Sequence, residues 1–240
     1  MSIATSLLQI RELPTLLRGD TKTIHPWIKR LSVSRTLIFL LVIAVGTGAF
    51  GAAIGFWRAP MQAAFSAIKL PLVILLTTFC NALLNGMLAP LLGLNIGFRQ
   101  SLSLILMSFV IASAILGSFA PLVLFMIWNL PPGSANAETI RSAYRVMQLV
   151  LTGIIAFAGI MANWRLFPLL REQSHSRAVA YRVLFAWLAG NLFLGSQICW
   201  MLRPFVGNPG APLEFIGPGL KQGNFFETIF YTVSALLTSS

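Results

Sequence analysis

The chain has few side chains that can ionise or react. Its 240 residues include only six acids, two histidines and two cysteines. Acid–base pairs, metal clusters and nucleophilic triads all need such groups at close spacing. Cys80 and Cys199 form no CxxC pair, and neither is spaced with His25 or His175 as zinc ligands are. The sequence therefore predicts no catalytic residue, no metal and no cofactor, and it does not indicate an enzyme.

Charged side chains are also missing from long stretches of the chain. The longest uncharged stretch runs from Gln100 to Ala137, and another separates Lys69 from Arg99. Hydrophobic residues make up 57% of the chain and charged residues 10%, whereas a soluble domain carries about 25% charged residues. About 20 apolar residues cross the hydrocarbon core of a bilayer as a helix. The sequence therefore predicts an all-α integral membrane protein whose first partner is the lipid bilayer.

Five stretches are long and apolar enough to be transmembrane helices. The predicted spans are 36–57, 70–94, 102–130, 146–164 and 183–202. They form a transmembrane domain, 36–202, between an N-terminal segment, 1–35, and a C-terminal segment, 203–240. A sixth apolar stretch, Phe225 to Leu237, is short for a span. An interfacial or re-entrant segment is expected there, and a sixth span is the alternative.

The distribution of basic residues predicts the orientation. Eleven of the 17 Lys and Arg fall in the N-terminal segment and the second and fourth loops, against six on the other side. Basic residues near span ends stay in the cytoplasm, so the N-terminus is predicted inside and the C-terminus outside. The net charge of +11 does not indicate nucleic-acid binding, because the basic residues flank apolar runs and form no separate basic domain.

The N-terminal segment has the pattern of an amphipathic helix. Apolar residues recur in it at spacings of three and four, at Ile3, Leu7, Ile10, Leu13 and Leu17. We expect a helix that lies on the cytoplasmic surface of the membrane, and a disordered tail is the alternative.

Small residues line one face of the first span. Gly48, Gly51 and Gly55 allow another helix to approach closely, which matters in lipid because packing must hold the helices together. This face is predicted to contact another helix of the chain, another membrane protein or a second copy of the chain. A hinge is the alternative.

The second span carries two amides one helical turn apart. Asn81 and Asn85 lie on one face, which is predicted to point into the bundle because amides in hydrocarbon need partners. Asn163 and Asn191 are the expected partners. Two interpretations remain open. The amides either fix the register of the helices or line a path for a substrate or an ion.

The C-terminal segment is unusual for a helix bundle, because it combines prolines and glycines with phenylalanines. The stretch from Met201 to Glu227 is predicted to form an ordered cap over the outer helix ends, with at least two of Phe205, Phe215, Phe225 and Phe226 mostly buried. A loose tail is the alternative. The candidate cap residues are Arg203, Pro204, Phe205, Gly207, Pro209 and Glu227.

Three basic residues, Lys69, Arg99 and Arg203, fall at the predicted ends of spans. We expect these side chains to extend to the lipid headgroups, because a cation at the bilayer centre costs about 2.5 to 3.5 kcal/mol on insertion scales.

Several of these residues also resemble a known pattern. Lys69-Leu70-Pro71, Asn81, Arg99-Gln100-Ser101 and the closing run Leu202-Arg203-Pro204-Phe205-Val206-Gly207-Asn208-Pro209 resemble a group of uncharacterised bacterial integral membrane proteins. The five-span layout with the N-terminus inside is distantly similar to the YIP-type family. The resemblance implies a multi-pass protein of the bacterial inner membrane and no particular activity.

Two functions are consistent with these features. The first is a non-enzymatic scaffold or partner subunit of a membrane assembly. The alternative is a small permease or channel that uses the polar face of Asn81, Asn85 and Asn191. A closed core favours the scaffold, whereas a polar cavity favours transport.

Overall fold

The computed structural model describes residues 13–29, 32–94, 96–131, 136–207, 212–217 and 223–227. These residues contain seven helices and no strand. The two short helices are α1, Leu13–Arg18, and α2, Thr21–Lys29. The five long helices are α3, Val33–Phe56, α4, Pro60–Leu91, α5, Phe98–Trp128, α6, Ala137–Glu172, and α7, Arg177–Leu202.

The five long helices confirm the prediction of an all-α multi-pass membrane protein, because each is long and apolar enough to cross a bilayer. Several continue beyond the predicted spans. α4 begins at Pro60, and the first position of a helix suits proline because its backbone nitrogen needs no partner there. α6 begins after Asn136, whose side chain accepts a hydrogen bond of 2.8 Å from the Thr139 amide. The helices extend beyond the apolar spans because the hydrogen bonds of a helical backbone form whether or not the side chains are apolar.

The long helices run up and down through the bundle, which gives it two distinct ends. α3, α5 and α7 finish where α4 and α6 begin, and we call this the motif end because residues 203–207 follow α7 there. The opposite end, where α3 begins, is the N-terminal end. α3 packs against both α4 and α5, whereas α6 packs mainly on α5 and α7 mainly on α4. α6 and α7 therefore stand on neighbouring helices with little contact between them.

The N-terminal helices pack against the bundle. Leu16 of α1 and Ile24 and Ile28 of α2 are buried in the core, chiefly beside α5. His25 lies 3.5 Å from the Glu172 carboxylate at the end of α6. This part of the predicted amphipathic segment is thus packed into the core of the fold. Its first apolar positions, from Ile3 to Ile10, fall outside the described residues.

Candidate functional site

The first candidate site lies at the motif end, where the closing motif, residues 203–207, folds back onto α4. The Gln62 side-chain nitrogen donates hydrogen bonds to the carbonyl oxygens of Pro204, at 2.9 Å, and Phe205, at 3.0 Å. The Ser66 hydroxyl also donates to the Phe205 carbonyl. The chain has left the α7 helix at this point, so these carbonyls have no intrahelical donor and the side chains of α4 supply one.

Lys69 completes this set of donors on α4. Its ammonium nitrogen lies 2.8 Å from the Pro204 carbonyl oxygen, and the residue is fully buried. The prediction that Lys69 extends from a span end to the headgroups is therefore wrong. α4 starts at Pro60, so Lys69 lies well inside the helix and its side chain turns inward. No carboxylate in the described parts of the chain forms an ion pair with it.

Three aromatic rings surround the Lys69 ammonium. Its nitrogen is 5.0 Å from the ring centre of Phe215 and 5.9 Å from those of Phe65 and Phe205. Phe65 and Phe215 also meet edge to face at 5.3 Å. The negative faces of aromatic rings attract a cation, and the attraction strengthens away from water. The rings come from α4, the closing motif and the following segment, so the buried cation links all three.

The closing motif also depends on a tight turn at Gly207. This residue has φ of +78°, a conformation that favours glycine, and a Cβ there would lie 3.0 Å from Arg58 Cγ. Val206 and Gly207 are both buried. Beside the turn, the Arg203 guanidinium stacks 3.3 Å from the ring centre of Trp200, and the Arg203 carbonyl accepts a hydrogen bond from the Gly217 amide.

A second part of the predicted cap, residues 223–227, lies against α7. The Phe225 amide donates to the Gln197 side chain, and Phe226 stacks on Phe193 at 4.8 Å. Glu227 accepts a hydrogen bond from the Asn224 amide. Among the cap phenylalanines, Phe205, Phe215 and Phe225 are half-buried, whereas Phe226 is exposed. Pro209 and most of the stretch from Phe225 to Leu237 fall outside the described residues.

The second candidate site is an amide cluster between α4 and α7. The Asn81 amide nitrogen donates to the Asn191 side-chain oxygen and lies 3.5 Å from the Trp187 carbonyl. The Asn85 amide nitrogen donates to the Asn81 side chain at 2.7 Å and to its backbone carbonyl at 2.9 Å. Asn81 and Asn85 are buried, as predicted for a face that points into the bundle.

Gly190 permits the close contact in this cluster, whereas Asn163 takes no part in it. A Cβ on Gly190 would lie 2.5 Å from the Asn81 side-chain oxygen, so only glycine lets α7 approach this closely. Asn163, the other expected partner, lies elsewhere and donates to the Gly159 carbonyl of its own helix. The structure therefore brings three of the four predicted amides together.

Buried polar atoms without a partner also occur near the cluster. Within the described residues, the Thr77 hydroxyl and the Trp187 indole nitrogen are buried and make no hydrogen bond. The backbone carbonyl of Trp187 lies 3.5 Å from the Asn81 amide nitrogen. The Thr77 hydroxyl and the Trp187 indole nitrogen offer a hydrogen-bond acceptor and donor that the described residues do not use.

The face of α3 that carries the small residues is covered by another helix of the same chain. A Cβ on Gly51 would lie 2.3 Å from the Ser66 carbonyl oxygen, and one on Gly55 would lie 2.5 Å from that of Gln62. Gly48 faces α4 in the same way at 3.3 Å. The predicted helix contact is thus the contact between α3 and α4, and a second copy of the chain would have to dock on another surface.

The largest cavity described is a groove of about 660 Å³ between α6 and α7. Ile54 of α3 and Leu70 of α4 form its floor, and Val206 of the closing motif closes one side. Arg145 and Thr152 lie on the α6 wall. None of the three cavities described is lined by Asn81, Asn85 or Asn191, so the amide cluster is not the wall of any of them.

A search of protein-family models, of curated proteins and of solved structures found no match to this chain.

The three donors of α4 could have been recognised from their spacing in the sequence. Gln62, Ser66 and Lys69 recur at spacings of four and three, so they share one face of α4. The predicted span began at Leu70, so Lys69 was placed at a helix end and was not grouped with Gln62 and Ser66. Gly190 carried no such signal, because its role depends on a residue of another helix.

Proposed function

We propose that the chain is a non-enzymatic membrane protein that serves as a scaffold or partner subunit of a membrane assembly. Its place is the bacterial inner membrane, with the N-terminus in the cytoplasm. The bias of Lys and Arg between alternate loops supports this orientation. The resemblance to bacterial integral membrane proteins, and more distantly to the YIP-type layout, supports the location.

A mismatch between exposure and polarity carries this proposal. α6 and α7 are the least buried of the five long helices, and they also have the lowest mean hydropathy. Helices that face only lipid are expected to be the most apolar, because lipid offers no hydrogen-bonding partners. Here the two most exposed helices are the least apolar. A protein partner that covers α6 and α7 would account for this reversal.

The surface of α6 allows such a partner to approach closely. Gly153 and Ala156 are exposed, and a Cβ on Gly153 would have nothing within 4 Å. Small residues at helix contacts let backbones approach each other in lipid. Gly153 therefore differs from Gly51 of α3, whose face is already filled by α4.

The mass of the assembly in mild detergent tests the proposal. The wild-type chain should be extracted from its native membrane in a complex larger than the monomer. Gly153→Leu should shift it toward the monomer mass without lowering its unfolding temperature, because the new side chain clashes only with a partner. Ala44→Leu is the matched control, since it enlarges a small exposed residue of α3, and it should leave the complex intact.

A small permease or channel is the second candidate, and the unpartnered Thr77 hydroxyl and Trp187 indole nitrogen favour it. A monomeric wild-type protein, with a solute flux in proteoliposomes that Asn81→Leu abolishes, would favour transport over the scaffold.

A further inference from the structure

The groove between α6 and α7 has one polar wall and an otherwise apolar lining. Arg145, Gln148 and Thr152 follow one another along α6 at spacings of three and four, so they form a stripe that faces the groove. Ile54 and Leu70 form the apolar floor. A ligand that fits this groove must be amphiphilic, with a polar portion along the stripe and an apolar portion over the floor.

The depth of Arg145 matches the level of the lipid headgroups. α6 has 36 residues, which is about 54 Å of helix, and the hydrocarbon core is about 30 Å thick. If the excess is shared equally, about 12 Å projects at each end. Arg145 lies eight residues after Ala137, which is also about 12 Å. Thr152 lies about 10 Å deeper along the helix, inside the hydrocarbon core.

The charge at the mouth of the groove indicates which polar group a ligand would place there. The Arg145 guanidinium is exposed and lines the groove, and a guanidinium matches the geometry of phosphate oxygens with two parallel donors. The only carboxylate on the described part of α6 near this end is Glu138, two turns nearer the helix start and outside the hydrocarbon core. A phosphate at the level of Arg145 thus meets positive charge.

We infer that this groove is a binding site for one anionic glycerophospholipid from the surrounding bilayer. The phosphate pairs with Arg145, the ester region meets Gln148 and Thr152, and one acyl chain lies over Ile54 and Leu70. The closing motif forms part of the site because Val206 is one of its walls. This inference is independent of the proposed partner subunit.

Native mass spectrometry of the full chain tests the site. The protein in detergent is titrated with phosphatidylglycerol and with phosphatidylcholine of the same acyl chains, and the singly bound fraction is measured. We expect at least fivefold tighter binding of the first phosphatidylglycerol. Arg145→Gln should reduce the preference to less than twofold, whereas Arg145→Lys should retain part of it, because lysine keeps the charge and lacks the two parallel donors. Arg182→Gln is the matched control, because Arg182 is an exposed arginine of α7 near the N-terminal end.

A second variant tests the apolar portion of the site. Thr152→Trp fills the groove below Arg145 and should weaken the binding of both lipids at least fivefold. Inorganic phosphate at millimolar concentration should not displace the bound lipid, because it lacks the acyl chain. Equal binding of the two lipids by the wild type, or a preference that persists in Arg145→Gln, would overturn the inference, as would displacement by free phosphate.

Discussion

The ammonium of Lys69 lies 2.8 Å from the carbonyl oxygen of Pro204, and this bond joins the fourth helix to the segment that leaves the seventh. The Pro204 oxygen also accepts from Gln62, and the Phe205 carbonyl accepts from Gln62 and Ser66. Gln62, Ser66 and Lys69 thus form one structural arrangement with these two carbonyls. It fixes the closing motif as one wall of the groove between α6 and α7.

Reversing the charge at Lys69 should release the closing motif. Lys69→Glu places a carboxylate against the Pro204 carbonyl oxygen, and a buried charge without a partner costs about 3 to 5 kcal/mol of unfolding free energy. Lys69→Met is the control, because it keeps the volume and leaves Gln62 as a donor, at a cost below about 1.5 kcal/mol.

Hydrogen exchange measures this release directly. The backbone amides of Phe205, Val206 and Gly207 should exchange much faster in Lys69→Glu than in the wild type, and Lys69→Met should resemble the wild type. Slow exchange of these amides in Lys69→Glu would show that the packing around residue 69 does not hold the closing motif.

Two glycine substitutions with the same chemistry should have opposite effects on stability. Gly51→Ala places a methyl group 2.3 Å from the Ser66 carbonyl oxygen, and overpacking of this kind costs about 1 to 3 kcal/mol. Gly153→Ala meets nothing within 4 Å and should stabilise α6 by up to about 1 kcal/mol, because alanine favours a helix over glycine. Unfolding in detergent by chemical denaturant measures both, and equal effects would contradict the close packing of α3 on α4.

The amide cluster should contribute more to stability than the isolated amide of α6. Asn81→Leu removes hydrogen bonds that reach Asn191 on α7 and should lower the unfolding free energy by about 1 to 3 kcal/mol, within the range of one or two such bonds. Asn163 bonds only within its own helix, so Asn163→Leu should cost less than about 1 kcal/mol. The same unfolding assay compares the two, and a larger loss for Asn163→Leu would contradict this assignment.

Reporters fused to the two termini test the orientation. A reporter before Met1 should be active in the cytoplasm and one after Ser240 on the outer side, because five spans place the ends on opposite sides. Both ends on one side would mean that the stretch from Phe225 to Leu237 also spans the membrane, or that one of the five helices does not.

The helical membrane fold was predictable from the sequence because it depends on apolar length. The five spans follow from the spacing of charged residues, and the burial of Asn81 and Asn85 follows from their shared face. The ends of the helices were less predictable, since α4 and α6 continue past the charges that were used to delimit the spans. Caps and backbone bonds decide where a helix begins.

The pairing of residues far apart in the chain was not predictable from one sequence. Lys69 and Pro204 meet only because α7 ends beside the start of α4. Asn191 and Asn163 were equally plausible partners for Asn81 by residue type. The packing of α7 on α4, permitted by Gly190, brings Asn191 to the cluster and leaves Asn163 on a separate helix.

Site-specific photo-crosslinking in intact membranes tests the central claim, that α6 and α7 face a protein partner. A photoreactive amino acid is placed at Ile160 of α6, at Leu192 of α7 and, as the control, at Leu41 of α3, all of which are largely exposed. We expect a discrete protein adduct from Ile160 and Leu192 and only lipid adducts from Leu41. Lipid adducts alone from all three positions would contradict it.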